Sequence, residues 1–294
     1  MNRQVAPAWY RHALDVPHED GTVDVAGTGI HYLAWGEPGR PGLVFVHGGA
    51  AHAHWWTHVA AQFAGTYRVA ALDLSGHGDS DRRDAYSLAA WTDEVVAVAD
   101  AAQMAGPPIV IGHSMGGFVT LAAAANHPDR LAGAVVIDSL VVKVDPEMDT
   151  GRRENFRNSK VYPDAAAAIA RFRTVPAQDH YEPYVMADVA ARSLRPCDGG
   201  FTWKFDPGIF MPARSDADDL LARITCRVAL FRAEHGLVTP DIGAYMYERL
   251  GRVAPVVEIP LAGHHVMLDQ PLLLVTALRT LLADWEHSVP FVRD

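Results

Sequence analysis

The chain alternates short, continuously apolar runs with stretches of helical periodicity, and this alternation limits the folds open to it. Apolar runs without polar alternation are typical of strands buried on both faces of a parallel sheet, and the intervening helices provide the crossovers. The sequence therefore predicts an α/β fold, a mostly parallel sheet flanked by helices. The predicted strands are Ile30–Trp35, Leu43–Val46, Arg68–Leu74, Ile109–Ile111, Ala134–Ile137, Val228–Phe231 and Val256–Ile259. The predicted helices are Trp91–Met104, Met115–Asn126, Asp164–Phe172, Asp241–Leu250 and Pro271–Trp285.

The alternation lapses in one long segment, Val141–Asp219, which carries charges, prolines, aromatic residues and helical stretches. We interpret residues 141–219 as an inserted, mainly helical cap. Residues 1–140 and 220–294 then form the α/β core. A chain of 294 residues is long enough for a single large domain with such an insertion.

The charge balance restricts the kinds of partner that the protein could have. Lys and Arg number 25 and Asp and Glu 35, a formal net charge of −10. This balance disfavours nucleic acid and anionic membrane surfaces, which both need a basic face, but it leaves small anionic substrates open. We therefore expect a small-molecule substrate and no nucleic-acid or membrane partner.

Cysteine usage and the absence of targeting signals point to the cytoplasm. Cys197 and Cys226 are the only cysteines, and we expect reduced thiols rather than the single disulfide that two cysteines permit. The first 20 residues lack the apolar run of a signal peptide, and no run is long enough to span a bilayer. The expected location is therefore cytoplasmic.

The most informative short motif is Gly112-His113-Ser114-Met115-Gly116, a GxSxG pattern. A predicted strand precedes it and a predicted helix follows, so Ser114 would stand on a tight strand-to-helix turn with its hydroxyl exposed at the sheet edge. The free N–H groups at the start of the helix would stabilise a developing oxyanion there. The alternative is that Ser114 only caps the helix.

Four motifs in the same order resemble those of the α/β-hydrolase fold family, over nearly the whole chain. They are His47-Gly48-Gly49, Asp73-Leu74-Ser75-Gly76-His77-Gly78-Asp79-Ser80, Gly112–Gly116, and Gly263-His264 followed by Asp269-Gln270-Pro271. The resemblance implies that Ser114 is a nucleophile and His264 its general base. It also implies that the backbone N–H groups of Gly49 and Met115 form an oxyanion hole.

The chemistry of a serine nucleophile agrees with this assignment. A serine hydroxyl needs a base whose pKa lies near the operating pH, and histidine is the natural one. His264 and His265 are adjacent, so only one of them can face Ser114. We favour His264, which directly follows Gly263 as in the family, and we expect His265 to bond nearby backbone.

The acid of the expected triad is less clearly marked. The family's commonest position follows the strand Val228–Phe231, but Gly236 stands there. Asp138, at the end of the strand Ala134–Ile137, keeps the order Ser, Asp, His, and some family members carry the acid at that place. Glu234 is the alternative. We favour Asp138, with Glu234 or neither carboxylate left open.

Cofactor and metal signals are weak. His52, His54 and His58 are clustered in sequence but have no carboxylate or cysteine ligand beside them, and the patterns HExxH and CxxC are absent. The glycine clusters match neither a dinucleotide fingerprint nor a P-loop. We therefore expect no metal and no cofactor.

Aromatic residues offer candidates for the substrate pocket. Trp55 is expected in a pocket wall or in the core. Trp203 and Phe210, with Phe205 and Met211, form an apolar set in the insertion that could roof a pocket. A small satellite core beneath the insertion explains the same set equally well.

Three functions compete. We favour a serine hydrolase that cleaves a small acyl compound, such as a carboxylic ester, lactone or thioester, through an acyl-enzyme. A C–C bond hydrolase acting on a diketone-like substrate would use the same serine and histidine. A non-catalytic ligand-binding protein on this fold is the third, supported only by the glycine where the acid is commonest. Haloalkane dehalogenase or epoxide hydrolase chemistry is disfavoured, because those relatives carry a carboxylate where Ser114 stands.

Overall fold

The computed structural model describes residues 6–141, 160–209 and 217–288. The strands are β1 (Glu19–Asp24), β2 (Gly29–Trp35), β3 (Gly42–Val46), β4 (Arg68–Leu72), β5 (Ile109–His113), β6 (Gly133–Ile137), β7 (Leu194–Cys197), β8 (Gly200–Trp203), β9 (Arg227–His235) and β10 (Val256–Gly263). The helices are α1 (Ala8–Asp15), α2 (Thr57–Ala60), α3 (Leu88–Ala101), α4 (Met115–Asn126), α5 (Ala165–Ile169), α6 (Pro183–Arg192), α7 (Ala217–Ala222), α8 (Pro240–Arg249), α9 (Val266–Asp269) and α10 (Pro271–His287). Short 3₁₀ helices span Ala53–Trp55, Ala61–Phe63 and Pro207–Ile209.

Eight strands form one sheet in the order β1-β2-β4-β3-β5-β6-β9-β10. Strand β2 is antiparallel to both β1 and β4, and the remaining neighbours are parallel. The carboxyl ends of β3, β5, β6, β9 and β10 therefore meet at one edge, which is where ligands bind in sheets of this kind.

The parallel strands are covered on both faces, as their apolar runs predict. In β3, Val44 packs into the core on one face of the sheet and Phe45 into the core on the other. Val110 and Ile111 divide in the same way in β5, and all four residues are fully buried. The α/β fold expected from the sequence is thus confirmed.

Two N-terminal elements were not predicted. Strand β1 has the sequence EDGTVD and joins the sheet at its edge through backbone pairing, with its side chains exposed or half-buried. A polar edge strand carries no apolar periodicity, so the sequence pattern does not reveal it. Helix α1 precedes it and packs Tyr10 and Ala13 into the core.

The ends of some elements also differ from the predictions. Helix α3 begins at Leu88, earlier than predicted, because the Ser87 side chain accepts the N–H of Ala90 and caps it. Strand β9 continues beyond the predicted Phe231 to His235.

The segment between β6 and β9 contains α5, α6 and α7, and also a hairpin of β7 and β8 that the expectation of a mainly helical insertion omitted. Asp198 and Gly199 form the two-residue turn, with Gly199 at φ 85°, which glycine adopts without steric cost. Phe210 and Met211 lie outside the described residues. Among the described residues, no helix combines the length and apolarity needed to cross a membrane.

Candidate active site

Ser114 occupies a strained turn between β5 and α4. Its backbone has φ 54° and ψ −121°, a conformation that a residue with a side chain rarely adopts. The flanking glycines allow the close approach that the turn needs: a Cβ on Gly112 would lie 2.2 Å from the carbonyl oxygen of Gly116, and one on Gly116 would lie 2.4 Å from that of His47. This turn has the strand–turn–helix context that the GxSxG motif requires.

The structure brings Ser114, His264 and Asp138 into one hydrogen-bonded line. The Ser114 hydroxyl donates to Nε2 of His264 across 3.0 Å. Nδ1 of His264 donates to Oδ2 of Asp138 across 2.7 Å. His264 and Asp138 are buried. The predicted hydrogen bond between Asp138 and His264 is therefore present.

The Asp138 carboxylate is held by backbone donors as well as by His264. Oδ1 accepts the N–H groups of Ala233 and Val238, each at 3.2 Å, and Oδ2 accepts that of Leu237 at 2.7 Å. Hydrogen bonds to a charged acceptor are stronger than those between neutral groups. The carboxylate is consequently fixed in one orientation, with Oδ2 directed at the imidazole.

Gly236 explains why no aspartate follows β9. A Cβ at this position would lie 2.3 Å from Oδ2 and 2.4 Å from Oδ1 of Asp138. The carboxylate that comes from β6 thus fills the space that a side chain at position 236 would need, and glycine is the residue that leaves it free.

The alternative acid, Glu234, has a different contact. Its Oε2 accepts the N–H of Leu261 across 2.7 Å, and its side chain is 39% exposed. Leu261 lies in the irregular part of β10, between Ile259 and Gly263. Glu234 therefore supports the strand that precedes the histidine, while Asp138 makes the contact with His264.

His265 faces the insertion instead of the serine. Its Nε2 donates to the carbonyl of Pro176 across 3.0 Å, and its backbone N–H donates to Oε1 of Gln178 across 2.8 Å. Burial lowers the pKa of His265 to about 3, so the ring is neutral at physiological pH. This geometry agrees with the preference for His264 as the partner of Ser114.

The loop after β3 passes against the serine. A Cβ on Gly48 would lie 3.3 Å from Cβ of Ser114. Within the part of the chain that the structure describes, the N–H groups of Gly49 and Met115 donate to no protein acceptor. The N–H of Met115 belongs to the first residue of α4, where the helix leaves donors free.

The turn that begins at Asp73 is hydrogen-bonded to the loop after β3. Oδ1 of Asp73 accepts the N–H of Ala53 across 2.6 Å, and Oδ2 accepts that of Asp79 across 2.8 Å. Ser80 closes the turn by donating its hydroxyl to the Asp73 carbonyl. The motif therefore fixes the segment that carries Trp55.

The three clustered histidines bond to separate protein partners. His52 Nε2 contacts the Ser193 hydroxyl at 2.9 Å, His54 Nδ1 lies 3.3 Å from the hydroxyl of Thr57, and His58 Nε2 donates to the carbonyl of Met267 at 2.7 Å. Burial lowers the pKa of His54 and of His58 to about 4, so both rings are neutral.

Elsewhere among the described residues, two groups have potential metal-ligand atoms within 4.8 Å of one another. The first group is His113, His264 and His265, and the second is His31, Asp73 and Asp79. In each group one histidine already has hydrogen-bond partners on both ring nitrogens. In the first group it is His264, and in the second it is His31, which contacts Asp73 and Asp20.

A row of aromatic rings leads from the insertion to the histidine loop. Ring centroids lie 5.7 Å apart for Trp203 and Phe172, 6.4 Å for Phe172 and Trp55, and 5.5 Å for Trp55 and His265. Trp55 is buried and Trp203 is half-buried. The row thus contains two of the three residues predicted for the pocket, Trp55 and Trp203, linked through Phe172, while Phe210 lies outside the described residues.

The sequence reasoning also missed three polar residues beside the site. His113 donates from Nε2 to the carbonyl of His264 across 2.8 Å. Gln178 and Asp269 bond to each other and to the backbone around His264. His113 and Asp269 lie inside the motifs quoted above, which was the available signal, whereas nothing in the local sequence marks Gln178.

Comparisons with known proteins agree with the geometry. The family model described as "Alpha/beta hydrolase family" matches residues 43–277. Esterase Rv0045c of Mycobacterium tuberculosis (strain ATCC 25618 / H37Rv) is 28% identical over 265 residues, covering 86% of each chain. Lipase LipV of the same organism is 28% identical over 262 residues, covering 86% of this chain and 97% of the lipase.

Among solved structures, E-2-(acetamidomethylene)succinate hydrolase superposes with a TM-score of 0.80 at 22% identity, covering 91% of this chain and all of that one. At 22% identity, this structural similarity supports a shared fold and nothing more specific. The family model spans most of the chain, and the fold and the strand–turn–helix around Ser114 agree with it. The chain belongs to the alpha/beta hydrolase family, and it is a hydrolase.

Proposed function

We propose that this hydrolase cleaves small acyl compounds, namely carboxylic esters, lactones or thioesters, through an acyl-enzyme on Ser114. The observation that carries the proposal is the line of contacts from Ser114 to His264 at 3.0 Å and from His264 to Asp138 at 2.7 Å. Relatives named esterase and lipase, each matched over 86% of this chain, support ester hydrolysis.

Each residue then has a defined task. His264 Nε2 takes the proton of Ser114 as the oxygen attacks the acyl carbon, and Asp138 stabilises the imidazolium that forms. The N–H groups of Gly49 and Met115 bind the oxyanion of the tetrahedral intermediate. His264 returns the proton to the leaving group, and then activates the water that releases the acid from Ser114.

The two rings beside His264 favour this proton transfer. Burial lowers the pKa values of both His113 and His265, so both stay neutral while His264 gains its proton. A second cation at this distance would oppose formation of the imidazolium. The ring centroids lie 4.6 Å and 4.7 Å from that of His264.

The contact of Asp138 with His264 weakens the case for a non-catalytic binding protein. That alternative rested on the glycine at position 236, where the family's acid is commonest. Because Asp138 fills that space and reaches the imidazole, the glycine is compatible with a complete triad.

We further propose that the substrate is a free small molecule and that the protein acts in the cytoplasm, without a nucleic-acid or membrane partner. The free thiols of Cys197 and Cys226 are compatible with a reducing compartment. The net charge of −10 supports the same expectation.

The proposed function is tested with a panel of chromogenic esters of increasing acyl length, lactones, thioesters and diketone-like C–C substrates. In parallel, a serine-reactive phosphonate is applied and the adduct is mapped by mass spectrometry. Turnover of at least one acyl class, with the adduct on Ser114, is expected. Turnover of the C–C substrates alone would assign the protein to that class, and an adduct on another residue would refute the assignment of Ser114.

Gly236→Ala provides a test of the acid's location without replacing a catalytic side chain. The new Cβ would overlap the Asp138 carboxylate, so we expect kcat to fall by about 100-fold as Asp138 is displaced from His264. Gly65→Ala is the matched control, because nothing lies within 4 Å of a Cβ there. Steady-state kinetics would contradict the idea if both variants kept the activity of the unmodified protein.

The aromatic row should determine acyl preference. Phe172→Ala and Trp203→Ala each remove an apolar surface between the insertion and His265, and we expect kcat/KM for long acyl chains to fall about 10-fold relative to short ones. The kinetics are measured on the ester panel, with thermal unfolding measured in parallel. Loss of stability with unchanged preference would instead identify the row as a satellite core.

A further inference from the structure

A segment of the insertion, residues 174–182, lies directly on the loop that carries His264; we call it the strap. The carbonyl of Pro176 accepts from His265 Nε2. At the far end, the N–H of Glu182 donates to the carbonyl of Leu268 across 2.8 Å. The strap therefore contacts the loop both at the residue after His264 and in helix α9.

Gln178 is the centre of this contact, because its amide bonds at both ends. Oε1 accepts the backbone N–H of His265 across 2.8 Å, and Nε2 donates to Oδ2 of Asp269 across 3.0 Å. Nε2 also donates to the carbonyl of His180 across 3.0 Å. One side chain from the insertion thus joins the two ends of the turn between β10 and α10.

These bonds lie on both sides of His264 in the backbone. The same Oδ2 of Asp269 that accepts from Gln178 also accepts the N–H of Gly263, across 2.6 Å. Gly263 precedes His264 and His265 follows it, so the Gln178–Asp269 pair fixes the peptide groups that flank the base. A Cβ on Gly263 would lie 2.8 Å from Cδ and Oε1 of Gln178, which shows how closely the amide packs against this backbone.

The strap in turn holds Gln178 in place. The backbone N–H of Gln178 donates to the hydroxyl of Tyr181 across 2.9 Å, and that hydroxyl lies 2.5 Å from Oγ1 of Thr174. Thr174 is buried. The position of the Gln178 amide therefore depends on how the insertion folds and docks, and not only on the α/β core.

We propose that Gln178 is a positioning residue, which couples the docking of the insertion to the orientation of the base His264. The inference rests on the proposed function, because it assigns His264 as the base. It goes beyond the triad by making a residue of the insertion necessary for the triad's geometry. A misplacement of about 1 Å at such a group lowers turnover by about 100-fold.

The charge around Asp269 makes the role of the amide testable. Burial raises the pKa of Asp269 to about 6. The groups that face it are the Gly263 N–H from β10, the Gln270 N–H from its own segment, and Gln178 and the ring of His180 from the strap. The amide of Gln178 keeps its N–H donor at every pH. A carboxyl group at position 178 has a donor for Asp269 only while it carries a proton.

Two substitutions separate positioning from packing. Gln178→Met keeps the volume but removes all three side-chain hydrogen bonds. We expect kcat to fall about 10- to 100-fold while KM changes less than about twofold. In Gln178→Glu, two carboxylates would share one proton at low pH and repel each other at high pH. Its kcat/KM, divided by that of the unmodified protein at each pH, should therefore fall as the pH rises and the shared proton is lost.

Asp179→Ala is the control within the strap, because that residue is exposed, and it should keep both constants. Thermal unfolding establishes that each variant is folded. Unchanged kcat in Gln178→Met, or a flat pH ratio in Gln178→Glu, would overturn the proposal while the phosphonate adduct on Ser114 still stands. Absence of that adduct in the unmodified protein would be a failure of the proposed function itself.

Discussion

Ser114→Ala and His264→Ala should each lower kcat by about 10⁵- to 10⁶-fold. The double variant should be no worse than either single variant, because nucleophile and base act as one unit. The fold should survive, since Ser114 already holds its strained backbone at φ 54° with a side chain present. The measurement is the initial rate on the best ester of the panel, with circular dichroism as the check on folding.

The controls use a matched serine and the neighbouring histidine. Ser87→Ala removes the cap of α3, so it should cost about 1 kcal/mol of stability and leave kcat unchanged. His265→Ala removes the bond to Pro176 but not the partner of Ser114, so its loss should be far smaller than that of His264→Ala. An inactive His265→Ala beside an active His264→Ala would reverse the assignment of the base.

Asp138→Asn should cost about 10⁴-fold in kcat. In the structure, Oδ1 accepts two backbone N–H groups, so the amide oxygen is best placed there. The NH₂ group would then face both the Leu237 N–H and Nδ1 of His264, where an acceptor is required. The imidazole would have to carry its proton on Nε2, and this tautomer cannot accept the proton of Ser114.

Glu234→Gln is the control for this prediction. Its amide oxygen can still accept the N–H of Leu261, and the side chain is partly exposed, so kcat should stay within about twofold. The pair of variants is compared by single-turnover kinetics on one ester, with thermal unfolding recorded for both. A greater loss in Glu234→Gln than in Asp138→Asn would transfer the role of the acid to Glu234.

The sequence pointed to Ser114 and His264, and favoured Asp138 over Glu234, because each of the three stands in a local pattern that resembles the family's. Ser114 and His264 lie in short motifs, and Asp138 ends an apolar strand whose carboxyl end must meet the others at one sheet edge. Gln178 could not be found in this way: its bonds reach residues 87 and 91 positions away. Such a contact depends on how the insertion docks, which no periodicity describes.

The two elements missed in the fold differ in how far the sequence could have revealed them. Asp198-Gly199 between β7 and β8 is a recognised hairpin turn signal, so that hairpin was readable from its turn. Strand β1 was not, because its polar residues have neither alternation nor β-branched enrichment, and its pairing with β2 is made by the backbone. Phe172 was likewise hidden, since only its ring contacts distinguish it from other aromatic residues of the insertion.

If Asp138 is the acid, its position on β6 has a consequence for when the enzyme can become active during its synthesis. Ser114 and Asp138 belong to one continuous unit of β5, α4 and β6, whereas His264 follows β10, the edge strand, which pairs with β9 alone. Because a chain emerges from its amino end, a nascent chain that ends before β9 would contain the proposed nucleophile and acid. It would lack both the proposed base and the backbone N–H groups of Ala233, Leu237 and Val238 that orient Asp138. On the proposed mechanism we therefore expect no hydrolysis until β9 and β10 have joined the sheet and His264 has reached Ser114.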